Sequence, residues 1–231
     1  MEITRAELLD QLAKQIVQLS KQEPTLVAID GRSAAGKTTL ANELAAHLQQ
    51  YGHHVLRSSI DDFHPPRHKH RSGEQSYTPS SYYAEGYDYA AFRNHVLEPL
   101  RQDDSRRCRL TLWDSFHDIA FPEQRIEAEN DTILIVDGIF LLQPNLQHFW
   151  NYVIWLDIDW DTMLERAVQR DTAWVGNAAL VLERYRTFWI PTHLLYEAEV
   201  NPIQFAHIIV NNRNPLQPDV IKQCSIEPRQ A

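Results

Sequence analysis

The sequence predicts a three-layer α/β domain: a central parallel sheet with helices on both faces, a small β-hairpin at one side and a short lid. Three observations predict it. Residues 25–29, 132–136, 152–156 and 206–210 are short apolar runs without polar alternation, as strands covered on both faces require. Stretches with apolar residues at helical spacing separate such runs, so strands and helices alternate. Where the first run meets the first following helix stands Gly31-Arg32-Ser33-Ala34-Ala35-Gly36-Lys37-Thr38, a glycine-rich turn between strand and helix.

The elements follow in order. Residues 2–22 place Ile3, Leu8, Leu9, Leu12, Ile16, Val17 and Leu19 on a helical period, and Pro24 closes that helix. After the strand and the glycine-rich turn, Leu40, Leu44 and Leu48 carry a helix from Lys37 to a stop at Tyr51-Gly52. Residues 53–59 read as a second strand that runs into Ile60-Asp61-Asp62-Phe63-His64. Residues 64–87, polar and rich in Pro, Ser, Gly and Tyr, are expected to form a long substrate-side loop. Residues 90–100 read as a helix, and residues 107–128 as a hairpin with arms at 107–113 and 119–128. The central strand at 132–136 ends in Asp137-Gly138-Ile139, and the strand at 152–156 ends in Asp157-Ile158-Asp159. A helix at 160–171 carries Arg166 and Arg170 on one face, and a break at 171–177 makes residues 166–178 a lid. Residues 178–196 are helical across Pro191, residues 206–210 are the last strand, and the proline-bearing tail reads as irregular. No linker divides the chain, so residues 1–231 are expected to form a single domain.

Composition narrows the function. A net charge of −9 argues against a nucleic-acid polymer or an anionic membrane surface as partner, since both select a basic face. Cys108 and Cys224 lack the spacing of a disulfide framework or a zinc site. No apolar run approaches the roughly 18 residues of a membrane span, and the first residues lack the apolar core of a signal peptide, so the cytoplasm is the expected compartment. A homo-oligomer is left open.

The turn from Gly31 to Thr38 is a phosphate-binding P-loop. Its glycines allow close backbone approach, its successive N–H groups converge, and the helix that follows adds a partial positive charge. Gly31, Ser33, Ala34, Ala35, Gly36, Lys37, Thr38 and Thr39 are therefore the candidate nucleotide-binding residues, with ATP and Mg²⁺ expected. Lys37 can reach the β- and γ-phosphates, and Thr38 can ligate the metal. In open α/β sheets chemistry gathers beyond the carboxyl ends of the strands, where Asp61, Asp62, Asp137, Asp157 and Asp159 stand. A kinase acting on a small alcohol needs one carboxylate to take the hydroxyl proton and another to hold metal; Asp61 and Asp137 meet those needs. Arg166 and Arg170 are placed to neutralise the transferring phosphoryl group. His64, from a basic run that continues through Arg67, His68, Lys69, His70 and Arg71, and Trp113 and His117, from the hairpin, are candidate acceptor-binding residues.

These residues in this order resemble the uridine kinase and phosphoribulokinase branch of P-loop kinases across most of residues 25–211. The likeness rests on the loop at 31–38, Asp61-Asp62-Phe63-His64, Asp137-Gly138-Ile139 where uridine kinases show Glu-Gly-Ile, Arg166 with Arg170-Asp171, and Pro191 followed by Phe205-Ala206-His207-Ile208-Ile209-Val210. The resemblance implies that Asp61, not Asp62, is the base, and that the acceptor is first uridine or cytidine. It departs at His64, where uridine kinases carry Tyr or Phe, and in the lid, which lacks their further arginine. Kinases for pantothenate, nicotinamide riboside, ribulose phosphate or another sugar stay open as alternatives, as does a nucleotide-binding switch that does not transfer phosphate.

Overall fold

The computed structural model describes residues 3–19, 23–66, 77–102 and 105–224. Helix α1 (Arg5–Leu19) precedes strand β1 (Thr25–Gly31), and the P-loop leads directly into helix α2 (Lys37–Gln50). Strand β2 (Val55–Ser59) ends in a 3₁₀ turn, Ile60–Phe63. Then come α3 (Pro79–Glu85), α4 (Tyr89–Phe92), a π-helical segment Arg93–Leu97, and α5 (Pro99–Gln102). The side element contains β3 (Arg107–Cys108), β4 (Trp113–Asp114), β5 (Ile119–Ala120) and β6 (Ile126–Glu127). Strands β7 (Ile133–Asp137) and β8 (Tyr152–Asp157) follow, then helix α6 (Trp160–Val175). Helix α7 (Ala178–Arg184) passes through a π-helical stretch, Tyr185–Trp189, into α8 (Ile190–Val200), before β9 (Ile208–Asn211) and β10 (Asp219–Gln223).

The main sheet has the order β10-β9-β8-β1-β7-β2, with β1 at its centre and every pairing parallel except β9 with β10. The unbroken apolar runs have a direct physical cause. Leu26 and Ala28 face one core with Leu134, Val136 and Trp155, while Val27 and Ile29 face the other with Ile133, Ile135 and Ile154. Because successive strand residues point to opposite faces and both faces are covered, neither set can be polar. Leu8, Leu12 and Ile16 of α1 and Leu40, Leu44 and Leu48 of α2 fill the second core.

Several expectations are corrected. Residues 79–85 are not loop: Thr78 accepts from Ser81 in a capping box, with Pro79 at the first helical turn, so α3 forms inside the predicted loop. Within that same stretch, Arg67, His68, Lys69, His70 and Arg71 lie outside the described residues. The expected break after Asp171 is absent, because α6 continues to Val175 and only Gly176, with φ 84°, and Asn177 interrupt it. Residues 166–178 are therefore the end of one helix and the start of the next, joined at a tight corner. The hairpin is real but broken: β3 pairs with β6 and β4 with β5 in two separate short ladders. The helix predicted at 90–100 carries a π-helical stretch and extends to Gln102. The tail is not wholly irregular, since β10 closes the sheet as an antiparallel edge. Among the described residues, no helix is long and apolar enough to cross a membrane.

Candidate active site

The carboxyl ends of β1, β7 and β2 meet at one level, with Ile29 and Ser59 both in register with Asp137. Gly31 and Gly36 both take positive φ, and the turn between them delivers the chain to the N-terminus of α2. Lys37 lies back across this turn: its Nζ donates to the carbonyls of Gly31 at 3.0 Å and Arg32 at 2.7 Å. Burial lowers its pKa, while the carboxylates of Asp30, Asp61 and Asp137 push the other way. The strand register puts the P-loop, Asp137 and the turn that carries Asp61 at the same edge of the sheet. The charge of Arg170 is felt by Lys37, and Arg170 feels that of Asp61.

Asp137 is almost wholly buried and fully engaged. Its Oδ2 accepts from Thr38 Oγ1 at 2.5 Å, and its Oδ1 accepts from Arg57 Nη2 at 2.6 Å. Arg57, on β2, also donates to the Ile135 carbonyl at 2.6 Å, which locks the guanidinium against the sheet. A hydroxyl and a carboxylate side by side are hard oxygen donors, the kind a divalent cation such as Mg²⁺ accepts together with phosphate oxygens. Among the described residues no cluster of three His, Cys, Asp or Glu side chains forms a dedicated metal cage.

Behind the P-loop, one face of α8 holds Asp30, Arg32 and Ser33. Tyr196 donates to Asp30 Oδ2 at 2.6 Å, Glu197 accepts from Arg32 Nε at 2.8 Å, and His193 Nε2 accepts from the Ser33 amide at 3.1 Å. The spacing is helical, so residues 193, 196 and 197 share that face. The Arg32 guanidinium also lies 3.9 Å from the centre of the Trp160 ring. Asp30 is fully buried, and burial raises its pKa to about 6 despite the bonds it accepts from Tyr196, Gly31 and Leu141.

On the opposite side, Asp61 follows β2 and is exposed, with Oδ1 accepting from the Tyr87 hydroxyl at 2.9 Å. Beside it, burial and then the charges of Asp61, Asp137 and Asp114 raise the pKa of Asp62 to about 6. His64 donates from Nδ1 to the Gly86 carbonyl at 2.7 Å and stacks 4.4 Å from the Tyr87 ring. Tyr82 packs edge-on against Tyr77, Phe188 and Trp189, extending an aromatic wall from His64. The hairpin docks here through the Leu112 amide, which donates to the Asp62 carbonyl at 3.1 Å. Trp113 is half-buried and donates to Asp118 at 3.1 Å, whereas His117 sits on the exposed turn and pairs with Asp114 at 2.7 Å.

Arg166 and Arg170, both on α6, have different surroundings. Arg170 donates to Asp171 Oδ1 at 2.6 Å and to the Tyr185 hydroxyl at 2.9 Å. Burial works against the charge of Asp171, but the bonds from Arg170 and Tyr185 hold its carboxyl below the usual range. Arg166 instead donates to backbone carbonyls of Ala34, Asn212 and Arg213, at 3.3, 2.7 and 3.1 Å, and so braces the P-loop from behind. Ala35 is buried and its carbonyl accepts from Asn212 Nδ2 at 2.7 Å, while Thr38 and Thr39 are exposed at the start of α2.

Reading the sequence alone missed Asp30, Arg57, Tyr87 and His193. His193 yields a pH prediction. Burial, reinforced by Lys37 and Arg32, lowers its pKa to about 3, so the folded protein keeps it neutral. The unfolded chain takes up that proton near 6.5, so this stability is present above pH 6.5 and is lost as pH falls toward 3. Asp30 and Asp62, raised from 3.8 to about 6, act in the opposite sense: their contribution is present below 3.8 and is lost as pH rises through 6. Comparing the wild type with His193→Gln cancels those carboxylates. Urea unfolding at pH 7 and pH 4.5 is expected to show the variant losing about 2–3 kcal/mol less on acidification, and equal losses would contradict the buried neutral imidazole.

A parallel sheet with a P-loop at the end of its central strand, a basic side chain in that loop and carboxylates across from it defines a P-loop phosphotransferase. The chain belongs to the phosphoribulokinase / uridine kinase family, whose model matches residues 26–211. It is 28% identical over 198 residues to a uridine kinase of Lactobacillus johnsonii, covering 83% of this chain and 88% of that protein. A possible uridine kinase from Bacillus stearothermophilus superposes with a TM-score of 0.69 at 20% identity, covering 88% of this chain and 97% of that one. A D-glycerate 3-kinase from Cryptococcus neoformans superposes at 0.60 and 13% identity, covering 93% and 98%. Both structural likenesses bear on the fold alone.

Proposed function

We propose that the protein is an ATP- and Mg²⁺-dependent kinase that phosphorylates a hydroxyl of a small, uncharged, ring-bearing acceptor, with uridine or cytidine first. The observation that carries this reading is the register of the strand ends: Ile29, just before the P-loop, and Ser59, just before the turn of Asp61, both pair with Asp137, whose Oδ2 accepts from Thr38. Phosphate loop and candidate base then serve one space. In this reading Asp61 removes the acceptor's hydroxyl proton as the oxygen forms its bond to the γ-phosphorus, and the bond to the bridging oxygen of ADP breaks. Lys37 leaves the carbonyls of Gly31 and Arg32 to bind the β- and γ-phosphate oxygens. Thr38 and Asp137 would hold Mg²⁺, which when bound would supply charge neutralisation on the triphosphate. Arg170 stabilises the transferring group, and most of the rate comes from positioning and charge.

Asp61 and Asp62, adjacent on the turn after β2, favour a neutral acceptor over a phosphorylated sugar, since each carboxylate repels an added anion. The aromatic wall of His64, Tyr82 and Trp189 offers stacking surface to a ring. Similarity to the Lactobacillus johnsonii uridine kinase supports the same choice. The test is ADP release, coupled to NADH oxidation, over a panel of uridine, cytidine, pantothenate, nicotinamide riboside, ribulose 5-phosphate and free sugars. A nucleoside is expected to turn over at least tenfold faster than the others. Turnover of a non-nucleoside alone would transfer the assignment to that acceptor, and ATP binding without turnover of any acceptor would favour a switch.

A further inference from the structure

Asp61 is exposed, and an exposed carboxylate on a turn samples several rotamers in the absence of a partner. Here it has one. Tyr87 is 4% exposed, and its hydroxyl donates to Asp61 Oδ1 at 2.9 Å. Two bonds stitch the backbone around Tyr87 to the turn that carries Asp61. On one side His64 Nδ1 donates to the Gly86 carbonyl at 2.7 Å; on the other the Asp88 amide donates to the Phe63 carbonyl at 2.8 Å. The Tyr87 ring is fixed as well, against His64 at 4.4 Å and edge-on to Tyr82 and Tyr89 at 5.8 and 5.9 Å. Donor and carboxylate thus belong to one rigid unit, and burial, with the nearby Asp61 charge, raises the Tyr87 pKa so that its proton stays in place to be donated.

We propose that Tyr87 is a positioning residue for the transfer reaction: by holding Oδ1 of Asp61 it presents Oδ2 to the acceptor hydroxyl. This rests on Asp61 being the base. The proton goes from the acceptor oxygen to Oδ2, and Tyr87 keeps its own throughout. Misplacing a reacting group by about 1 Å lowers rates by up to about 100-fold, and loss of this single tether is expected to act on the same scale.

The experiment compares Tyr87→Phe, Asp61→Asn and the double variant, measuring kcat, acceptor KM and ATP affinity, with thermal melts as a check on folding. Tyr87→Phe is expected to lower kcat at least tenfold, with KM and ATP affinity within twofold of wild type. In the Asp61→Asn background the same change is expected to cost nothing further, because the group it orients is gone. Site-specific 4-aminophenylalanine at position 87 restores a donor at the same place and is expected to recover most of kcat, which also guards against a folding defect in the phenylalanine variant. A Tyr87→Phe enzyme within twofold of wild-type kcat, or a failure of the amino analogue to rescue, overturns the positioning role alone. Wild-type turnover by Asp61→Asn instead overturns the assignment of the base on which it rests.

Discussion

Replacing Asp61 with Asn is expected to lower kcat by about 10²–10⁴-fold while leaving ATP affinity within twofold. Asn keeps the size of the side chain and an oxygen for the Tyr87 hydroxyl, so the turn after β2 should survive the change. What disappears is the ability to accept a proton as the new oxygen–phosphorus bond forms. The P-loop contacts do not pass through Asp61, since Lys37 is anchored on Gly31 and Arg32 and Thr38 on Asp137. Coupled ADP release gives kcat, and isothermal titration with ATP gives the affinity. A parallel fall in both would mean that Asp61 serves nucleotide binding, and an unchanged kcat would remove it from the chemistry.

The largest structural effect is expected at Gly31. Its φ of 145° is one that side chains rarely adopt, and a Cβ there would stand 2.3 Å from the carbonyl oxygen of Leu156 on β8. That oxygen is backbone in a central parallel pairing, where Gly31 and Leu156 are in register, so it cannot move aside without opening the sheet. Gly31→Ala is expected to cost about 3 kcal/mol or more, a fall in Tm of roughly 6–12 °C for a chain of this size. Gly52→Ala is the control: φ is 83°, but nothing lies within 4 Å of the added carbon, so only backbone strain of about 1 kcal/mol is expected. Differential scanning calorimetry separates the two, and equal losses would show that the clash with β8 relaxes cheaply.

The strands and the P-loop were legible because their signals are local. Val27 and Ile29 must be apolar for one core and Leu26 and Ala28 for the other, and that leaves an unbroken run in the sequence. The glycines, Lys37 and Thr38 owe their spacing to the loop itself, and Asp61 and Asp137 could be picked out as the acidic residues just beyond strands. The missed residues depend on distant partners. Arg57 looks like an ordinary polar residue of a strand until Asp137 is seen beside it, eighty positions away in the chain. His193 reads as one more residue of a long helix, and its partners, the amide and hydroxyl of Ser33, lie 160 positions away in the chain. Tyr87 closed a stretch whose Pro, Ser and Gly content masked the Thr78–Ser81 capping box of α3. The break expected at 171–177 is absent for a related reason: Asp171 is buried and bonded to Tyr185, which carries α6 on to Val175.

The grip of α8 on Asp30, Arg32 and Ser33 has a consequence for recognition. Ordering a free loop on contact with a ligand carries an entropic penalty of about 1–2 kcal/mol per residue, and here that penalty was met when the chain folded. A triphosphate would encounter a rigid mould, and its affinity would depend on how firmly the rear of that mould is braced. Loosening His193, Tyr196 or Glu197 should therefore weaken nucleotide capture from behind the loop.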